Sequence, residues 1–158
     1  MCDYRHIDVY FDSNKNLVAV PCGRDTRAGE YGTASLDISF VLESGYNDDE
    51  LELFITDTMN ACYSKPYVAE APTAIQIHTG AKSYSAAVRG YQYLSISWLK
   101  DKGYTLTPMQ ADKKHKGAFV GIKGVTINVS LYNKHIPIEK GALALAFKHA
   151  MAIILVPH

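Results

Sequence analysis

Four carboxylates fall within five positions, at Asp48, Asp49, Glu50 and Glu52, with Glu43 ahead of them and Asp57 behind. No basic residue lies between Asp37 and Lys65. Such a block can hold a metal, do acid/base chemistry, cap a helix or meet a basic partner. The metal reading lacks support, because the block has neither the glycine nor the ligand order of a calcium loop. None of the six histidines (His6, His78, His115, His135, His149 and His158) pairs with another histidine or a cysteine at ligand spacing. The three cysteines, Cys2, Cys22 and Cys62, form no C-x-x-C. Acid/base catalysis needs a carboxyl whose pKa is raised by burial, which clustered exposed carboxylates rarely have.

Other chemistry is equally sparse. There is no G-x-S-x-G, and Cys62 falls on an apolar helical stripe, as a small core residue does. The glycines of residues 22–33 and the pair Gly121 and Gly124 match neither a P-loop nor a dinucleotide fingerprint. No catalytic residue, metal or cofactor is expected, and the chain reads as a binder. Lys113, Lys114, His115 and Lys116, together with eleven tyrosines, open a second reading as a small RNA-binding or RNA-processing protein. Zero net charge and the shortness of the run favour a solvated loop instead. An enzyme acting on a small molecule through the 22–33 loop is the weakest alternative.

These residues sit in a chain of 158, which suits one domain able to bury roughly 68–70% of its unfolded surface. Apolar content of 47% against 20% charged residues argues for a packed core rather than disorder. Residues 1–75 carry 13 acids and 5 bases, while residues 76–158 carry 3 acids and 11 bases. That asymmetry either steers a charged partner or is satisfied internally by packing of the two halves. Widely spaced cysteines in odd number fit a reducing compartment. The charged N-terminal stretch is not a secretory signal, and the apolar run 141–156, with Lys148 and His149 inside it, is too short to span a bilayer. A soluble cytoplasmic protein is expected.

The elements that must position the acidic block follow from periodicity. Residues 7–11 and 17–20 read as a β-hairpin, 21–33 as a long loop and 36–42 as a strand. Leu51, Phe54, Ile55, Thr58, Met59 and Cys62 make one face of a helix over 48–62, capped by Asn47 or Asp48. Asp48, Asp49 and Glu50 then complement the helix dipole in the first turn, whereas Glu43, Glu52 and Asp57 extend the negative charge outward. Residues 65–80 read as a connector with a short strand at 74–78. Tyr84, Val88, Tyr91, Leu94, Ser95 and Trp98 form the stripe of a helix over 83–100, with Gly103 following its end. Residues 118–123 and 125–132 read as a second hairpin. Pro137 precedes an alanine-rich helix over 138–154, apolar nearly all round. Trp98, Phe54, Ile55, Met59 and Leu145 are expected in the core. The fold class is α/β of the α+β kind: a single domain with an antiparallel or mixed sheet of about five to six strands packed by three main helices.

This order of elements resembles the immunity proteins of bacterial contact-dependent growth inhibition systems. The likeness rests on Asn47-Asp48-Asp49 running through Asp57 and Met59, on Tyr91 to Tyr104 with Trp98 ahead of Lys102-Gly103-Tyr104, and on the small-residue helix beginning Ile138-Glu139-Lys140-Gly141-Ala142. The 22–33 and 65–80 loops and the tail 153–158 do not share it. The resemblance implies a cytoplasmic, non-catalytic protein that binds and neutralises a cognate toxin domain. Many such toxins are nucleases, hence basic. On that reading Glu43, Asp49, Glu52 and Asp57 form the partner-binding edge, and neither membrane nor direct nucleic-acid contact is expected.

Overall fold

A computed structural model describes residues 3–30, 32–130 and 138–156. Strands β1 (Tyr4–Phe11) and β2 (Leu17–Arg24) form the expected hairpin, in register from Ile7↔Pro21 to Phe11↔Leu17. The turn forms because the Asp12 carboxylate accepts the backbone N–H groups of Asn14 and Asn16, at 2.9 and 3.0 Å. Beyond β2 come a single 3-10 turn (Thr26–Ala28), β3 (Thr33–Ser35) and β4 (Phe40–Leu42). Helix α1 (Asp48–Asn60) follows, then two short helices, α2 (Ala74–Thr79) and α3 (Tyr84–Ala87). The chain continues as β5 (Gln92–Leu99), β6 (Gly103–Ala111), β7 (Phe119–Gly121) and β8 (Ile127–Ser130), and ends in α4 (Ala142–Leu155).

The eight strands make one antiparallel sheet in the order β3-β2-β1-β5-β6-β7. It is only six positions wide, because each outer edge is shared. The outer edge of β2 pairs with β3 along Cys22–Arg24 and with β4 along Leu17–Ala19. The outer edge of β6 pairs with β8 near Gly103 and with β7 near Ala111. This is the α+β architecture expected from the sequence.

Alternation along β1 builds two cores. Ile7, Val9 and Phe11 join Leu17, Ala19, Leu94, Ile96 and Leu106 beneath α1 and α4. Tyr10 joins Val18, Val20 and Tyr93 on the opposite face, under α2 and α3. Helix α1 buries Leu51, Phe54, Ile55, Thr58 and Met59, the stripe expected from its spacing.

Several expectations are corrected. The 83–100 segment is not a helix. It is a four-residue helix, a glycine at φ +83° (Gly90) and a central strand. Spacing of four, as in Leu94 and Trp98, places residues on one face in both periods. Ile96 separates the two, since it lies off the helical stripe yet is fully buried on the strand face. The 74–78 segment is helical because Thr73 and Gln76 form a capping box and Gly80 ends the turn. Strand β6 was unforeseen, because Gly103-Tyr104 reads as a helix terminus in sequence. Among the described residues, the 118–123 and 125–130 segments do not pair with each other as a hairpin; β7 and β8 both pair with β6. Leu145, expected in the core, is 70% exposed, because α4 packs one side onto the sheet and turns Leu145, Lys148 and His149 to solvent. Trp98 is partly buried, with the Arg5 guanidinium 5.3 Å above its ring. Leu131, Tyr132, Pro137, Cys2, His135 and His158 lie outside the described residues. No helix among the described residues is long and apolar enough to cross a membrane.

Candidate functional site

The acidic block opens α1 and is divided among several tasks. Asn47 is the N-cap. Its side chain accepts the Glu50 backbone N–H at 2.8 Å, and the Glu50 carboxylate accepts the Asn47 N–H at 3.2 Å. Two neighbours reach across to α4 and the turn before it. Asp48 pairs with Lys148, and Asp49 pairs with Lys140 at 3.5 Å. Part of the charge asymmetry between the halves of the chain is thus satisfied within the fold. All four groups are largely exposed, so each pair adds little to stability.

Glu52 has a task that sequence reasoning missed. Helix α4 starts at Gly141, which carries no side chain able to cap it. The Glu52 carboxylate accepts the N–H groups of Gly141 and Ala144, both at 3.0 Å. A carboxylate from α1 therefore serves as the cap of α4 and sits at the positive end of its dipole. The only sequence signal was negative: a long helix starting after glycine with no Ser, Thr, Asp or Asn at its entry.

The four residues of the predicted edge are distributed as follows. Asp49 and Asp57 lie on the exposed side of α1, with Leu53, 60% exposed, on the same stripe between them. Glu52 is half-buried against α4. Glu43 is exposed just after β4, ahead of the helix cap. Among the described residues, neither Glu43 nor Asp57 forms an ion pair. A groove of about 310 Å³ is lined by Glu52, Thr56, Trp98, Tyr104, Ile138, Glu139 and Leu143.

A different cluster lies on the other face of the sheet, and motif reading did not find it. Asp8 on β1 is 6% exposed. Its Oδ1 receives the Tyr93 hydroxyl and lies 2.9 Å from His6 Nε2, and its Oδ2 receives the Ser35 hydroxyl. The Tyr10 and Tyr84 hydroxyls are 2.8 Å apart beside it. Burial alone drives Asp8 toward its neutral form, but the hydrogen bonds and charge of His6 outweigh it, aided by Ser35 and Tyr93, and hold the carboxyl below its usual range. Burial likewise opposes a charged His6, and Asp8 reverses the balance and raises its pKa. Burial, with the Asp8 charge next, keeps Tyr10 and Tyr93 protonated. Strand alternation was the available signal: an aspartate stands in a run that is otherwise core.

Cys62 is buried and donates its thiol to the His6 carbonyl at 3.4 Å; contact with Cys22 raises the Cys22 pKa and lowers that of Cys62. Lys113, Lys114 and Lys116 are exposed in the turn between β6 and β7, where Asp112 binds His115 at 2.8 Å. Among the described residues, no group of three or more His, Cys, Asp or Glu side chains is placed to hold a metal ion.

No family model and no curated protein matches the chain. Solved structures do. One is a protein of unknown function from Neisseria meningitidis, at a TM-score of 0.66 and 11% identity, covering 95% of this chain and 94% of that one. Another is a chain of a CdiA-CT/CdiI toxin and immunity complex from Yersinia pseudotuberculosis, at a TM-score of 0.61 and 11% identity, covering 96% and 97%. The fold is thus one found in a toxin and immunity complex, matched along almost the whole of both chains.

Proposed function

We infer that this chain is an immunity protein, one that binds and neutralises the cognate toxin domain of a bacterial contact-dependent growth inhibition system. The observation that carries this reading is the fold shared end to end with a chain of the CdiA-CT/CdiI complex. It points to the same family as the sequence resemblance, although the helix over 83–100 and the hairpin over 118–132 in that order of elements are replaced by strands β5 to β8. The protein acts by binding, in the cytoplasm, with no catalysis of its own. Its partner is a basic toxin domain, a nuclease, since an enzyme that holds a phosphate backbone does so with lysine and arginine.

The partner-binding edge comprises Glu43, Asp49, Glu52 and Asp57. Two features support it. Leu53 is exposed between Asp49 and Asp57 on α1, and Leu145 is exposed on α4, between Lys140 and Lys148 in sequence, the two lysines that pair with α1. An apolar centre with a charged rim is the usual anatomy of a protein interface. The groove next to Glu52 sets two carboxylates beside two aromatic rings, an arrangement suited to a cationic side chain.

The test uses a candidate toxin domain sought in the gene neighbourhood of this chain. Co-expression should protect cells, and the two purified proteins should form a stable complex. Reversing Glu43, Asp49 and Asp57 to lysine, with Glu52 left in place to hold α4, should slow association and flatten its salt dependence, with only a modest fall in melting temperature from the loss of Asp49 in the first turn of α1. If the triple variant associates as fast as the parent at low salt, the interface lies elsewhere. If no complex forms and the protein instead retains RNA in a salt-dependent manner, the RNA-binding reading replaces this one.

A further inference from the structure

The Asp8 cluster lies on the face of the sheet away from α1, and the toxin-binding reading makes no use of it. A cavity of about 170 Å³ opens onto it, lined by Asp8, Ser35, Tyr10, Tyr84 and Tyr93, with Val20, Ala74, Ile75 and Thr73, whose hydroxyl donates to Gln76, completing its walls. Ser35 is exposed while Asp8 is buried, so the cavity runs from a polar rim to a carboxylate.

Proton accounting sets what fits. The Ser35 and Tyr93 hydroxyls both give their protons to Asp8. Of Tyr10 and Tyr84, one hydroxyl donates to the other, which leaves one hydroxyl proton free between them. Three of roughly four carboxylate acceptor positions are filled by His6, Tyr93 and Ser35, leaving about one open. The wall therefore offers oxygen lone pairs and one free hydroxyl proton, around a carboxylate whose charge His6 partly balances and beside tyrosine rings; those of Tyr10 and Tyr93 pack against each other, their centres 5.1 Å apart. A ligand that only donates hydrogen bonds, carries positive charge and has a flat face satisfies all three features. Guanidinium does so, with five N–H donors, no acceptor and a planar surface that stacks on aromatic rings. The volume is close to that of the engineered cavity of roughly 150 Å³ that admits benzene, which is room for a guanidinium and a short alkyl stem.

We propose that the cavity over Asp8 is a binding site for a guanidinium group on a short stem. The group comes from a free small molecule or from an arginine side chain of a bound protein, and the lining is the same for both. Asp8 is in the right state for it, since its neighbours hold it ionised in spite of burial.

The experiment is calorimetric and NMR titration of the intact protein with ethylguanidinium, with a capped Gly-Arg-Gly peptide, and with urea as the flat neutral control. Ethylguanidinium should bind with a dissociation constant on the order of a millimolar and shift the Tyr93 and His6 resonances, and urea should not. Binding of the peptide as well assigns the site to a protein side chain; binding of ethylguanidinium alone assigns it to a free ligand. Asp8→Asn should weaken binding at least about tenfold, the loss of one charge contact. Because that variant can also disturb the core, Ala74→Leu provides the second check: it fills the cavity, leaves every charge in place and should abolish binding while the folded NMR spectrum persists. No saturable binding of either cation, equal binding of urea, or full binding to a folded Ala74→Leu variant overturns the proposal.

Discussion

Replacing Glu52 tests the most specific contact between α1 and α4. Its carboxylate accepts two backbone N–H groups at 3.0 Å, from the first residue of the α4 cap and from the third residue of the helix. Losing an N-terminal cap costs about 1 kcal/mol. Removing a negative charge from the helix dipole costs about 0.3–1 kcal/mol more. Glu52→Ala should therefore lose about 1.3–2 kcal/mol, and for a chain of 158 residues each kilocalorie lowers the melting temperature by about 2–4 °C. The expected fall is about 3–8 °C. Glu52→Gln keeps one oxygen acceptor and should fall by about half as much. Asp57→Ala is the control: that residue lies one turn further along the exposed side of α1, and its loss should leave the midpoint unchanged. Thermal and urea unfolding followed by circular dichroism measure all three. The sequence alone places Glu52 with Asp57, as two outward charges with no effect on stability. If Glu52→Ala and Asp57→Ala melt within about 1 °C of each other, the capping role is refuted.

Two further predictions concern the opposite face. His6 is held above its ordinary 6.5, so the stability it adds is complete below that pH and is lost as pH rises through the higher folded value. Asp8 is held below 3.8, so its contribution is complete above that pH and is lost as pH falls through the lower folded value. The couple should stabilise most between about pH 4 and 6.5, and His6→Gln should remove the decline on the alkaline side, as read from urea unfolding at about pH 5 and 8. Gly117 has φ +81°, and a Cβ there would lie 2.8 Å from Ser85 Cα; Gly124 has φ +77° with open space around it. Gly117→Ala should thus cost about 1–3 kcal/mol more than Gly124→Ala, the difference being the clash that holds the β6–β7 turn away from α3. Equal losses in the two variants would mean that backbone strain alone accounts for both.

What the sequence determined by itself is what neighbouring residues decide together. The β1–β2 hairpin is local, set by Asp12 and two runs of β-branched and aromatic residues. Helix α1 is local too, since a capping box and a stripe of five buried residues all lie within fourteen positions. The absence of a nucleophile or metal motif and the acidic character of α1 could also be read directly. The tertiary structure decided the rest, and the reason in each case is a partner far away in sequence. Residues 92–99 are equally fit for a helix by the spacing of Leu94 and Trp98, and become a strand because β1 and β6 supply hydrogen bonds on both sides. Leu145 looks like core and is exposed, because which side of an alanine-rich helix faces inward is set by the sheet it meets. Glu52 looks like an outer charge and is a cap, because the helix it caps begins 89 residues later. Asp8 looks like an interruption in a strand and becomes the centre of a polar cavity, because Ser35, Tyr84 and Tyr93 are brought to it only when the sheet and its short helices have closed. Periodicity records which face a residue occupies, whereas the partners waiting on that face are chosen by packing.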